Sequence, residues 1–163
     1  MHKKTANYEI AKNAANKTII TNRITAPPIP LEDIADSEGL TIAIAEFEDN
    51  NVSGFINFEK KMIIVNKFDS SSRQKFTIGH ELGHWILHQK ELKEDRDIVI
   101  FYRKSIEGET DPLEQEANCF AANLLVPDSF LKKFLERSIT NKELANIFKV
   151  SEKVIAYRRA FNE

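Results

Sequence analysis

Phe76-Thr77-Ile78-Gly79-His80-Glu81-Leu82-Gly83-His84-Trp85-Ile86-Leu87-His88 is the stretch on which the reading of this chain turns. From Ser71 or Ser72 onward, Phe76, Ile78, Leu82, Trp85, Ile86 and Leu87 group broadly on one side of a helix running to His88. Such a helix is largely buried. His80 and His84 stand one turn apart on it, about 6 Å along the axis and on one face, so both imidazoles can reach a single ion. Glu81 lies toward the same side, where it can take a proton from an attacking water and give one to a leaving amine without being a ligand.

Two histidines four apart can simply pack on a helix. Against that, three of the chain's four histidines fall within nine residues, the acid is at the required place, and the apolar surroundings would desolvate an ion-binding pocket. The His-Glu-x-x-His pattern therefore predicts zinc (Zn2+) as cofactor, His80 and His84 as metal ligands and Glu81 as the catalytic general base. His88 lies roughly 12 Å from His80 along a straight helix, too far to share the ion, and reads as a helix-end residue or a partner behind a ligand.

A catalytic zinc wants a third protein ligand and an open position. Leu87 and Lys90 occupy the places of the long-spaced His-x-x-Gly-x-x-His extension, which leaves a glutamate from the next helix as the natural substitute. Asp111-Pro112 reads as the N-cap and first position of that helix, which continues from Leu113 to Leu125 and stops before Pro127. Glu114, Asn118, Ala121 and Leu125 make one stripe beside its apolar face, whereas Glu116 lies on the opposite flank. Glu114 is the preferred third metal ligand, and loss of Glu116 is expected to leave metal binding nearly intact. Asp111-x-x-Glu114 is also readable as a capping box in which Glu114 only satisfies its own helix's first N–H.

Outward from this pair, a leading helix is expected from about Asn7 to Ile24, followed by a stiff Ala26-Pro27-Pro28-Ile29-Pro30 linker. Leu31 to Ser37 reads as a short helix, and Leu40 to Phe47, Val52 to Phe58 and Met62 to Asn66 as strands of a small antiparallel sheet. Charged Lys90 to Asp97, apolar Ile98 to Tyr102 and polar Arg103 to Thr110 read together as a surface excursion. Three shorter helices are expected after Pro127: Asp128 to Arg137, Thr140 to Phe148 and Ser151 to Phe161, the second opened by a Thr140-x-x-Glu143 capping box. The fold class is α+β, with 1–127 as the main domain and 128–163 as a helical extension packed on it.

At 163 residues, 42% hydrophobic and 29% charged, the chain has the makings of one globular core. A formal charge of -2 argues against a polyanion or an anionic membrane as the main partner. The polar start lacks a signal peptide's apolar region, and no segment approaches a membrane span. Cys119, the single cysteine, can form no intrachain disulfide and reads as a buried, inert thiol, so a cytoplasmic location is expected.

His80-Glu81-Leu82-Gly83-His84-Trp85-Ile86-Leu87-His88, followed by Glu114-x-x-Ala117-Asn118-x-Phe120-Ala121 and Leu124-Leu125-x-Pro127, resembles the ImmA/IrrE family of metallopeptidases. The likeness covers about Leu31 to Pro127. It implies a compact thermolysin-like (gluzincin) fold with a mixed sheet over the His-Glu-x-x-His helix, zinc held by His80, His84 and Glu114, and Asn118 placed to accept a hydrogen bond from a histidine ligand. It further implies an endopeptidase that cleaves a helix-turn-helix transcriptional repressor and so releases a mobile element, a prophage or stress genes. The short segments before Leu31 and after Pro127 lead us to expect a stand-alone peptidase without an added DNA-binding or sensor domain.

The tail supports a rival. Leu144-Ala145, Val150-Ser151 and Val154-Ile155 follow helix-turn-helix spacing, with Lys153, Arg158 and Arg159 on the second helix, as in a DNA-binding or antitoxin-type regulator that acts by binding. Lys149 stands where such turns favour glycine, and eight Lys or Arg against five Asp or Glu in 128–163 is a weak excess for holding phosphates. Tyr102, Tyr157 and His88 are the candidates for stabilising the oxyanion.

Overall fold

The computed structural model describes residues 5–95, 98–102 and 111–161. Its elements run α1 (Tyr8–Thr21), α2 (Leu31–Ser37), β1 (Thr41–Ala45), β2 (Val52–Asn57), β3 (Met62–Asn66), α3 (Ser71–Asp95), β4 (Ile98–Tyr102), α4 (Pro112–Leu125), α5 (Asp128–Leu135), α6 (Asn141–Phe148) and α7 (Glu152–Ala160). The fold is α+β.

Helix α3 is the middle layer. One side packs on the sheet, against β2, β3 and β4, and the other meets α4 and α1. Arg73 Nε donates to the Ser53 hydroxyl at 3.1 Å and Gln74 Nε2 to the Asn66 carbonyl at 2.8 Å, pinning the start of α3 to β2 and the end of β3. Farther along, Trp85 stacks on Phe58 with centroids 5.9 Å apart. Ile56, Ile63, Val65, Leu82, Phe120, Leu124 and Leu125 are buried in the core between these layers.

The sheet is mixed, as the family likeness implied, rather than antiparallel throughout. Its order is β1-β3-β2-β4, with β1 parallel to β3 from Thr41↔Met62 to Ala45↔Asn66, and β2 antiparallel to both β3 and β4. The β2–β3 hairpin forms as expected, but β3 rather than β2 lies beside β1. Ile98 to Tyr102 is not part of a surface excursion: its backbone forms the β4 edge, pairing Phe55 with Ile100 and Asn57 with Ile98. The charged run before it continues α3 to Asp95, because Lys, Glu and Gln are good helix formers and no glycine or proline interrupts them. Arg96, Asp97 and Arg103 to Thr110 lie outside the described residues.

The tail folds as the three expected helices. Thr140 accepts from the Glu143 N–H at 3.2 Å while Glu143 accepts from the Thr140 N–H at 2.8 Å, completing the capping box. Leu144, Phe148 and Ile155 are buried, and Arg158 reaches back to donate from Nε to the Val126 carbonyl at 3.0 Å and to pair with Asp128. Cys119 is buried, with its thiol raised above the ordinary value chiefly by that burial.

Candidate metal centre

Two close-packed helices build the site. Gly79 and Gly83, one turn apart on α3, face Ala117 and Ala121 of α4; a Cβ on Gly83 would come within 3.1 Å of Phe120 Cδ1 and 3.2 Å of Ala117 Cα. The absence of side chains here lets the helix backbones approach closely. That approach brings Glu114, in the first turn of α4, over the histidines of α3.

His80 Nε2 and His84 Nε2 stand 3.0 Å apart, and Glu114 spans them, with Oε2 3.0 Å from His80 Nε2 and Oε1 3.1 Å from His84 Nε2. Among the described residues, His80, His84 and Glu114 are a group able to hold a metal ion, one ligand atom of each lying within 4.8 Å of the others. For comparison, ligands about 2.0–2.1 Å from a tetrahedral zinc lie about 3.3 Å from one another. Two imidazole nitrogens and a carboxylate converging at such spacing suit zinc. Glu114 is thus not spent on its own helix: Asp111 caps α4 by accepting from the Leu113 N–H at 2.9 Å.

The electrostatics favour a cation. Burial alone would raise the Glu114 carboxyl, but hydrogen bonds and charge from His80 and His84 overcome it and hold the group below the usual carboxylate range. Burial lowers the His84 imidazole, opposed by its hydrogen bond to Glu114. A carboxylate beside two imidazoles, at least one of them biased toward neutrality, is the protonation state a metal requires.

Glu81 is fully buried, and neither carboxyl oxygen has a hydrogen-bond partner among the described residues. Burial, reinforced by the negative charge of Glu114, pushes its carboxyl well above the usual range. An acid buried without partners costs stability unless something outside the chain's own structure engages it. A hydrated metal between Glu114 and the two histidines would meet that need, so the residues present fit a zinc ion.

Behind the cluster, His80 Nδ1 donates to Asn118 Oδ1 at 2.8 Å, as the family likeness implied. His84 Nδ1 lies 3.0 Å from His88 Nδ1, and His88 Nε2 lies 2.8 Å from Glu116 Oε2. Glu116 is indeed away from the three converging ligands, yet it is buried and tied to one of them through His88, which a helical wheel of α4 alone could not disclose. Of the oxyanion candidates, His88 has both ring nitrogens engaged, and Tyr157, on α7, meets the Phe161 ring in a tilted contact with centroids 4.7 Å apart, its hydroxyl pushed up to about 12 chiefly by burial. The Tyr102 side chain lies outside what is described.

Comparison with known proteins finds relatives named as metallopeptidases. The chain is 32% identical over 102 residues to the radiation response metalloprotease IrrE of Deinococcus radiodurans, matching 61% of this chain and 30% of that protein. It is 30% identical over 98 residues to immunity region protein 2 of Bacillus phage phi105, covering 59% and 58% of the two. It is also 30% identical over 102 residues to metallopeptidase ImmA of Bacillus subtilis, covering 61% and 56%. The matched part spans less than two thirds of each relative. A Mycobacterium tuberculosis transcriptional regulator has a similar fold, with a TM-score of 0.66 and 13% identity over 92% of this chain and 46% of that one. Residues 35–159 match the family described as the IrrE N-terminal-like domain, so the chain belongs to this family, Peptidase M78.

Proposed function

We propose that this protein is a zinc-dependent endopeptidase, with His80, His84 and Glu114 as ligands and Glu81 as the catalytic general base. The observation that carries the reading is the buried Glu81 carboxyl, without a partner among the described residues, beside three converging donors. A bound zinc ion would supply the Lewis acidity that polarises the scissile carbonyl and makes water nucleophilic near neutral pH. Glu81 takes the proton of the attacking water on a carboxylate oxygen, then delivers a proton to the amine nitrogen as the C–N bond breaks. No helix among the described residues is long and apolar enough to cross a membrane, and with Cys119 buried as a thiol we place the reaction in the cytoplasm. We assign the chemistry to 1–127 and treat 128–163 as an extension packed on it.

The substrate we propose is a helix-turn-helix repressor, cleaved in an extended or locally unfolded segment. Such a segment would pair with a sheet edge, and of the two edges, β1 and β4, it is β4 that packs against α3. Wild-type, Glu81→Gln and chelator-treated protein are compared for cleavage of a helix-turn-helix repressor encoded beside the gene, read by mass spectrometry. Glu81→Gln should keep its zinc yet lose on the order of 10²–10⁴-fold in rate, because glutamine keeps the shape but cannot take the proton. Equal cleavage by all three would reject the mechanism.

A further inference from the structure

The two histidines of the cluster are held from behind by different chemistry. His80 leans on the neutral amide of Asn118. His84 leans on His88, His88 on Glu116, and the second Glu116 oxygen accepts the Asn7 backbone N–H at 2.7 Å, where α1 begins. His88 and Glu116 are 0% and 1% exposed, so bulk water does not compete for these bonds.

We propose that His88 and Glu116 are positioning residues of the metal centre, acting through His84; the proposal rests on the zinc reading above. With a cation on the Nε2 lone pair, the proton of His84 sits on Nδ1 and is donated to His88 Nδ1. His88 then carries its own proton on Nε2, which it donates to Glu116. Every link has one donor and one acceptor, and the chain ends on a carboxylate whose other oxygen faces an N–H that can only donate. Glutamine cannot replace Glu116, since its NH2 would face either the Asn7 N–H or the His88 Nε2–H, a donor against a donor. The relay fixes the tautomer and ring orientation of His84 and raises its basicity as a ligand, which outer partners of metal-binding histidines commonly do.

The test measures zinc affinity of the full chain by chelator competition, and the visible spectrum of its cobalt(II) form, with melting of the chelator-treated protein as the check on folding. His88→Leu and Glu116→Gln should each weaken zinc by about 10–100-fold, and the cobalt spectrum should shift, because ligand orientation changes. Two conservative variants separate positioning from space-filling. In His88→Asn the amide oxygen falls near the place of Nδ1 and can accept from His84; in His88→Gln the amide reaches only the place of Nε2. Positioning requires Asn to restore affinity better than Gln, whereas filling space favours Gln, the closer in size. Zinc affinity within about threefold of wild type in both His88→Leu and Glu116→Gln, or Gln restoring it as well as Asn, overturns the proposal. Should His88→Leu fail to fold, the Asn and Gln pair and Glu116→Gln decide alone. Wild-type protein that binds no zinc would instead overturn the metal reading itself.

Discussion

Glu81 on α3 and Arg158 on α7 are both ionisable residues sealed from solvent, at 0% and 1% exposure, yet they are buried in opposite ways. Arg158 donates to the Val126 carbonyl and pairs with Asp128, so its charge is answered by the chain itself. Glu81 has no partner for either oxygen among the described residues. A buried ionisable group with its partners in place fastens structure; one without a partner among the described residues is a candidate for engaging a bound species. The contrast also bears on the tail. Arg158 is turned inward and Arg159 donates to the Ile139 carbonyl at 2.6 Å, so at least two of the three basic side chains that a DNA-reading helix would use are engaged within the protein.

Replacing each charge by leucine is the sharpest way to break this comparison. Glu81→Leu should abolish repressor cleavage, a loss of at least about 10²-fold, while raising the stability of the zinc-depleted protein by about 1–3 kcal/mol, since a carboxyl buried without partners is removed. Arg158→Leu should do the reverse. It removes the donor to the Val126 carbonyl and the ion pair with Asp128, and should cost about 2–4 kcal/mol with zinc affinity unchanged. Urea denaturation and chelator competition read both. Two substitutions that destabilise alike would show that Glu81 is as structural as Arg158.

Much of the centre was legible in the sequence because it depends on local spacing. His80, Glu81 and His84 share one turn of one helix, and the stripe through Glu114 and Asn118 is a property of α4 alone. What depended on how α3 and α4 sit against each other was not legible. Each step of four residues overshoots a helical turn by about 40°, so His80, His84 and His88 spiral around α3, and His88 meets the flank of α4 that carries Glu116. No wheel of either helix shows that meeting. The Gly79 and Gly83 pair facing Ala117 and Ala121 was a usable signal, small residues at matching intervals on two helices. The strands were found nearly to their ends, but not their order, because the Asp49-Asn50-Asn51 turn suggests neighbours while β3 takes the place beside β1. Ile98 to Tyr102 was missed as a strand since five apolar residues between charged stretches carry no register.

The close approach of α3 and α4 can be tested more gently. In Gly83→Ala the new Cβ meets Ala117 Cα at 3.2 Å and Ala117 O at 3.3 Å, backbone atoms that yield only if α4 moves. Alanine gains up to about 1 kcal/mol of helix propensity over glycine, against about 1–3 kcal/mol for overpacking. Crowding should win, with a net loss of about 1 kcal/mol. Because the displaced helix carries Glu114, zinc affinity should fall as well. The same loss of stability with unchanged affinity would mean that the packing and the metal site are uncoupled.

The smallest expected effect sharpens the tail's side of the comparison. Lys149 ends α6 in the left-handed conformation, at φ 56 and ψ 42, the place where a helix-turn-helix favours glycine. The turn therefore has the backbone of the motif even though its residue is unfavourable there. A side chain in this region costs about 1–2 kcal/mol, which glycine relieves, but glycine also loses more entropy on folding by about 0.5–1 kcal/mol. The first term is the larger, so Lys149→Gly should stabilise the protein by about 0.5 kcal/mol, seen as a small rise in melting temperature. Lys149 is exposed and far along the chain from α3, so zinc affinity and repressor cleavage should not change. A fall in melting temperature would mean that the lysine side chain contributes more to the α6–α7 corner than its backbone strain costs. A rise accompanied by new, salt-sensitive binding to promoter DNA would mean that the turn itself had been limiting, and would return the tail to the regulator reading that its inward-facing Arg158 now opposes.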